Sequence, residues 1–165
     1  LFDAESSQIE IVIHPQSVVH SMVGYVDGSV LAQMGEPDMR TPIAYALGWP
    51  DRVETTVERL DFRKFSRLDF ETPDETRFPA LRISREALEA GGLVPCAMNA
   101  AKEVAATAFL ENRIGFLDLA AIVDQVLSRI DLTGKAHNLD DILTADTETR
   151  RVAVNEVRVR QAVNA

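Results

Sequence analysis

The dipeptide Asp27-Gly28 constrains this chain more than any other pair of residues. It separates two runs of strand-forming residues, one before Asp27 and one from Val30 to Met34. A two-residue type I′ turn needs positive φ at both central positions, and Asp-Gly is among the few pairs that tolerate this. The chain therefore doubles back here. With two residues in the turn, Val26 pairs with Ser29, Tyr25 with Val30, and His20 falls opposite Gly35. Paired residues share a face of the sheet. Val19, Ser21, Val23, Tyr25, Val30, Ala32 and Met34 then form a mostly apolar face. His20, Met22, Gly24, Val26, Ser29, Leu31 and Gln33 form a mixed one. His20 stands at the open end, beside Glu36-Pro37-Asp38-Met39. A single bulge would shift this register.

Ahead of the hairpin, Ile9, Ile11 and Ile13 alternate with Glu10 and Val12, which predicts a strand over 9–13 ended by Pro15. After it, Thr41 as N-cap and Pro42 at the first helical position predict a short helix closed by Gly48. From Trp49 to about Asp74 no helical period is sustained. This stretch reads as a linker touching the body through Trp49, Leu60, Phe62, Phe65 and Phe70, with one short strand over 65–70.

From Phe78 the period becomes helical. Pro79 opens a helix that stops at Gly91-Gly92, and Pro95 opens an alanine-rich one running to about Asn112. Ala97, Ala100, Ala101, Ala105 and Ala108 allow close approach of a neighbouring helix. After Gly115, the residues Phe116, Leu119, Ile122, Val123, Val126, Leu127 and Ile130 mark one wide apolar face. Asn138 caps a short turn through Ile142 and Leu143, and Asp146 caps a last helix with Val152, Val159 and Val163 inward. Strands followed by helices predict an α+β fold: a sheet hairpin unit and then a small antiparallel four-helix bundle. The organisation expected is 1–48 β-rich, 49–76 linker and 77–165 helical.

The bulk properties narrow the function. The net charge is −9 and the pI about 4.8, which argues against a nucleic-acid surface. Cys96 is the only cysteine, so no internal disulfide forms and a reducing compartment is the simple reading. No apolar run is long enough for a membrane span, and no signal peptide precedes the expected first strand. The chain starts at Leu1 rather than at methionine, which reads as a piece of a longer or processed chain.

Several residues carry possible chemistry. His14 and His20, with Glu36 and Asp38, admit metal ligation, direct substrate contact, or packing in a hydrogen-bonded loop. Pro37 and Met39 shape a pocket or merely stiffen the loop, and Met39 is flexible and polarizable. Arg40 binds an anion beside a helix start or pairs with Glu36 or Asp38. Cys96 reads as a structural thiol, Asn99 as a hydrogen-bonding group, Lys102 and Glu103 as a solvated face, and His137 as exposed. No glycine-rich phosphate loop, nucleophile elbow or dense carboxylate cluster is present, so the chain alone does not complete an active site.

The segments His14-Pro-Gln-Ser17, Val19-His20-Ser-Met22, Asp27-Gly-Ser-Val-Leu-Ala-Gln33 and Gly35-Glu-Pro-Asp-Met-Arg-Thr-Pro42, with Asn99-Ala-Ala101 and Glu103, resemble the 1-deoxy-D-xylulose 5-phosphate reductoisomerase family. The resemblance covers nearly the whole chain. Lys102 departs from it, since the family usually has asparagine there. The resemblance implies the carboxy-terminal portion of an NADPH- and divalent-metal-dependent enzyme of non-mevalonate isoprenoid biosynthesis, with Mg, Mn or Co as the cation. It implies part of a central catalytic and dimerisation domain (1–48), a linker (49–76) and a helical domain (77–165). It implies a phosphorylated sugar substrate, a homodimer formed through the central sheet, and a bacterial cytoplasmic location. Nucleotide and metal would be bound mainly by segments outside this chain. The positions matching substrate-proximal family residues are His20, which would orient or protonate, and Pro37 and Met39, which would wall the site. As an isolated fragment the chain is expected to be inactive, and the alternative reading is a non-catalytic dimerisation or scaffold module.

Overall fold

A computed structural model describes residues 4–64, 66–132 and 138–164, with side chains through Ala162. The described residues form a two-stranded antiparallel sheet and five α-helices, an α+β fold. They divide into two units, one of Glu10–Pro73 and one running from Asp74 onward together with the amino-terminal residues through Ile9.

In the first unit, β1 (Val19–Gly24) pairs with β2 (Val30–Met34). The fold-back is present, but its loop has three residues rather than two. Gly28 N–H donates to the Tyr25 carbonyl and Tyr25 N–H to the Ser29 carbonyl, so Val26, Asp27 and Gly28 form the loop. The cause is the Asp27 carboxylate, which accepts from the Ser29 N–H and Ser29 Oγ. Those bonds leave Asp27 at negative φ, and Gly28 alone takes the left-handed conformation at φ +85°. A type I′ turn needs both residues there. The expected register is therefore corrected by one residue. Gly24 pairs with Val30, Met22 with Ala32, Val23 with Leu31 and Ser21 with Gln33. A bulge at His20 then resets the ladder, so Val19 meets Met34 and Gly35 N–H donates to the Val18 carbonyl. His20 itself has no partner opposite it, in place of the expected Gly35.

The strand expected over 9–13 is absent. Only Ile13 pairs, in an isolated antiparallel bridge to Glu71, because a strand exists only where its backbone finds a partner. No strand forms over 66–70, and Phe65 lies outside the described residues. Trp49 packs edge-on against Tyr45 and Phe70 stacks on His14, whereas Phe62 is exposed. Helix α1 (Arg40–Gly48) begins earlier than expected. Thr41 is not its cap; the Asp38 carboxylate accepts from Arg40 N–H and does that work.

The second unit holds α2 (Pro79–Ala90), α3 (Val94–Leu110), α4 (Asp118–Arg129) and α5 (Leu139–Asn164). Proline in the first turn of α2 and α3, and Gly91 and Gly92 at positive φ between them, set those boundaries. The five alanines picked out on α3 are fully buried, and this small-residue face lets α4 and α5 approach closely. Ile83, Ile122, Val126 and Val157 complete the core.

Helix α5 corrects two expectations. It runs unbroken from Leu139, with Asn138 capping it through the Asp141 N–H, and Asp146 pairs with Arg150 instead of starting a new helix. Its inward face is Thr149, Ala153, Glu156 and Val157, while Val159 is exposed and Val163 lies outside the described side chains. The buried Glu156 carboxylate accepts from Arg129 at 2.6 Å, which joins α4 to α5 and compensates the cost of burying charge. Phe116 also leaves the expected apolar face: it is exposed, and Ile114 is buried instead.

Candidate active site

The bulge at His20 and the turn into α1 open onto one cavity of about 510 Å³ in the first unit. His20, Pro37 and Met39 all line it, with Glu36 and Asp38. The unpaired bulge residue and the tight Glu36–Met39 loop, where Asp38 N–H donates to the Glu36 carbonyl, bring these side chains together. His20 and Met39 are both exposed, so the imidazole and the thioether face open space rather than a core.

His14 is elsewhere. Its ring stacks on Phe70 at 4.7 Å and its Nδ1 lies 2.7 Å from the Asp69 carbonyl. Gln16 grips both the backbone and the carboxylate of Asp69. The His14-Pro-Gln corner is thus a packing element, and of the two histidines grouped with Glu36 and Asp38 only His20 lines the cavity with them.

Arg40 pairs with Asp38 through two nitrogens and reaches Thr56 Oγ1 at 2.7 Å, so it is engaged within the protein. Hydrogen bonds from the Arg40 guanidinium and backbone hold the Asp38 carboxyl down to about 2. Asp38 is therefore a fixed anion at neutral pH and not a proton carrier. Glu36 makes its described bond through its backbone only, and the His20 imidazole lines the cavity with it. Among the described residues no three His, Cys, Asp or Glu side chains are placed to hold a metal ion.

Sequence reasoning missed Gln33, Tyr45 and Arg52 on the cavity wall. Arg52 sits over the Tyr45 ring at 4.0 Å, a cation–π contact between α1 and the irregular segment after it. No local pattern marks Arg52. Gln33 followed the wrong register.

The other residues singled out lie in the helical unit. Burial pushes the Cys96 thiol up, the opposite of activation. Asn99 donates to Glu103 on its own helix, and Glu103 also pairs with Arg150 of α5, so Glu103 is not a free solvated group. Lys102 lines a separate apolar cavity. His137 lies outside the described residues.

Residues 34–152 match the family model described as the DXP reductoisomerase C-terminal domain. The 1-deoxy-D-xylulose 5-phosphate reductoisomerase of Rhizobium rhizogenes is 58% identical over 153 residues, 93% of this chain and 38% of that protein. The Agrobacterium fabrum protein of the same name is 53% identical over 98% of this chain and 41% of its own length. Among solved structures, the Zymomonas mobilis reductoisomerase in complex with NADPH superposes with TM-score 0.80 at 51% identity, over 90% of this chain and 39% of that one. A DOX-P reductoisomerase bound to NADPH, fosmidomycin and magnesium gives TM-score 0.85 at 41% identity, over 96% of this chain and 41% of that one. The chain thus spans about two-fifths of the length of the relatives it matches. A family-wide match over more than half of the sequence, with the same fold at this identity, places the chain in the DXP reductoisomerase family.

Proposed function

We propose that this chain is the carboxy-terminal portion of an NADPH- and divalent-cation-dependent reductoisomerase. That enzyme converts 1-deoxy-D-xylulose 5-phosphate to 2-C-methyl-D-erythritol 4-phosphate in non-mevalonate isoprenoid biosynthesis. Residues 1–48 belong to the central catalytic and dimerisation domain, 49–76 to a linker, and 77–165 to a helical domain in which α2 to α5 form an antiparallel four-helix bundle. The observation carrying the functional reading is the cavity shared by His20, Pro37 and Met39. His20 orients the substrate or protonates it. Pro37 and Met39 wall the sugar and exclude water from that side.

The donor set here does not fit a divalent cation. One imidazole and Glu36 accompany an Asp38 already paired with Arg40. The sequence also lacks the glycine-rich loop that would seat a dinucleotide. Metal and nucleotide are therefore assigned mainly to other segments of the whole enzyme, and no step through either is derived from this chain.

The sheet supports pairing with a second copy. Met22, Val23, Val30 and Leu31 are exposed apolar residues on the hairpin, an arrangement expected of a dimerising surface. No helix among the described residues is long and apolar enough to cross a membrane, and the acidic balance disfavours nucleic acid. A bacterial cytoplasmic location accords with both. In the full-length enzyme, His20→Gln lowers kcat or raises KM with an unchanged melting curve. The 165-residue chain shows no turnover with NADPH, divalent metal and substrate. Wild-type kinetics in the variant, or turnover by the chain alone, would overturn the reading.

A further inference from the structure

The helical unit contains a second cavity, of about 330 Å³, lined by the end of the segment entering α2 and by residues of α2, α3 and α4. Its walls are apolar: Ile83, Met98, Phe116 and Val123 line it. The charged residues on the wall are Arg77 and Lys102, and no carboxylate lines it. In a chain with net charge −9 this concentration of one sign is unusual.

Most arginines of this unit are held by carboxylates, although Arg85 bonds Ser6 and the Ile9 carbonyl instead and no ion pair among the described residues engages Arg158. Arg82, Arg113, Arg129, Arg150, Arg151 and Arg160 are each paired with a carboxylate. Among the described residues no ion pair engages Arg77 or Lys102. The Arg77 guanidinium carbon lies 5.5 Å from the centre of the Phe78 ring. The remaining polar wall residue, Ser84, donates its hydroxyl to the Ala80 carbonyl.

An apolar cleft of this volume with a few convergent polar groups has the make-up of a small-molecule site. It is too small for a helix, and its charge selects an anion. We propose that it binds a medium-chain alkyl carboxylate, with the chain among Ile83, Met98, Phe116 and Val123 and the carboxylate held by Arg77 and Lys102. The site is separate from the His20 cavity and independent of the catalytic reading.

The test is titration of the 165-residue chain with monomeric decanoate, followed by calorimetry and by methyl NMR of Met98 and Val123. Saturable one-to-one binding with shifts confined to these walls is expected. Lys102→Met and Arg77→Met each weaken it about tenfold, equivalent to about 1.4 kcal/mol. Decanol binds at least as weakly as those variants, and decyltrimethylammonium gives no saturation. Ala106→Leu, which narrows the cleft, removes binding while the thermal melt is retained, and Ala120→Val replaces it should that variant not fold. Equal affinity for decanol and decanoate, or no loss in Lys102→Met, would overturn the proposal. So would a second copy of the chain occupying the cleft, seen as dimerisation that decanoate cannot reverse.

Discussion

The two units differ most in what they bury. In the helical unit, α3 alone buries five alanines completely, and Ile122, Val126, Ala153 and Val157 close around them. In the hairpin unit Val18 is the one fully buried large side chain among the described residues, while Val23, Val30 and Leu31 stay more than half exposed. Hydrophobic burial is the main favourable term in folding, and the two units draw on it unequally. The helical unit has a core of its own, although Leu110, Phe116, Leu117 and Leu139 stay exposed on its surface. The hairpin unit presents surfaces and a site that call for further protein.

That contrast can be broken in order of effect. Ile122→Ala should cost about 2–5 kcal/mol, read as a lowered melting temperature of the helical transition. The same truncation at Leu31 should move it by less than about 0.5 kcal/mol. Comparable losses at both sites would mean that the hairpin is packed after all. Gly28→Ala comes next. A side chain at φ +85° costs about 1–2 kcal/mol locally, so hydrogen exchange of the Tyr25 amide, which donates to the Ser29 carbonyl, should accelerate while the core of α3 is unchanged.

The smallest effect is that of the Asp38–Arg40 pair. Its folded carboxyl titrates at about 2, below the ordinary 3.8. Its stabilisation is thus complete above about pH 4 and lost as pH falls through about 2. Carboxyl NMR should find the Asp38 midpoint near the lower value and, in Arg40→Gln, raised from it but still below the ordinary one, since the backbone N–H at position 40 continues to donate to the carboxylate. High salt should narrow that difference, since the pair is at the surface.

What was legible in the sequence follows the same divide. Helix boundaries at Pro79, Gly91-Gly92 and Pro95 rest on local backbone chemistry, so they could be read directly. The inward stripe of α5 was legible only in part from its valines: Val152 packs on the core as expected and Val159 does not, while Thr149, Ala153 and Glu156 fill much of the stripe, Glu156 beside Arg129 of another helix. In the hairpin, the turn position was legible and its type was not. One side-chain bond from Asp27 decided between two and three loop residues. A bulge then left His20 unpaired between the Val19–Met34 and Ser21–Gln33 pairs, and it still lines the cavity with the loop that the uncorrected register had also reached. The gathering of His20 with Glu36, Pro37, Asp38 and Met39 was thus anticipated through a register that differs in detail. His14 was misplaced because its partners, Asp69 and Phe70, lie more than fifty residues away.

The central claim is that the bulge delivers the His20 imidazole, and not that of His14, to the Pro37–Met39 wall. NMR of the 165-residue chain tests it most directly, comparing the histidine ring resonances of wild type and Met39→Ala with the cross-strand contacts of β1 and β2. The account predicts pairing of Val19 with Met34 and of Ser21 with Gln33, a shifted His20 ring, and an unmoved His14 ring. An unbulged ladder with His20 opposite Gly35, or a His20 ring indifferent to Met39, would contradict it.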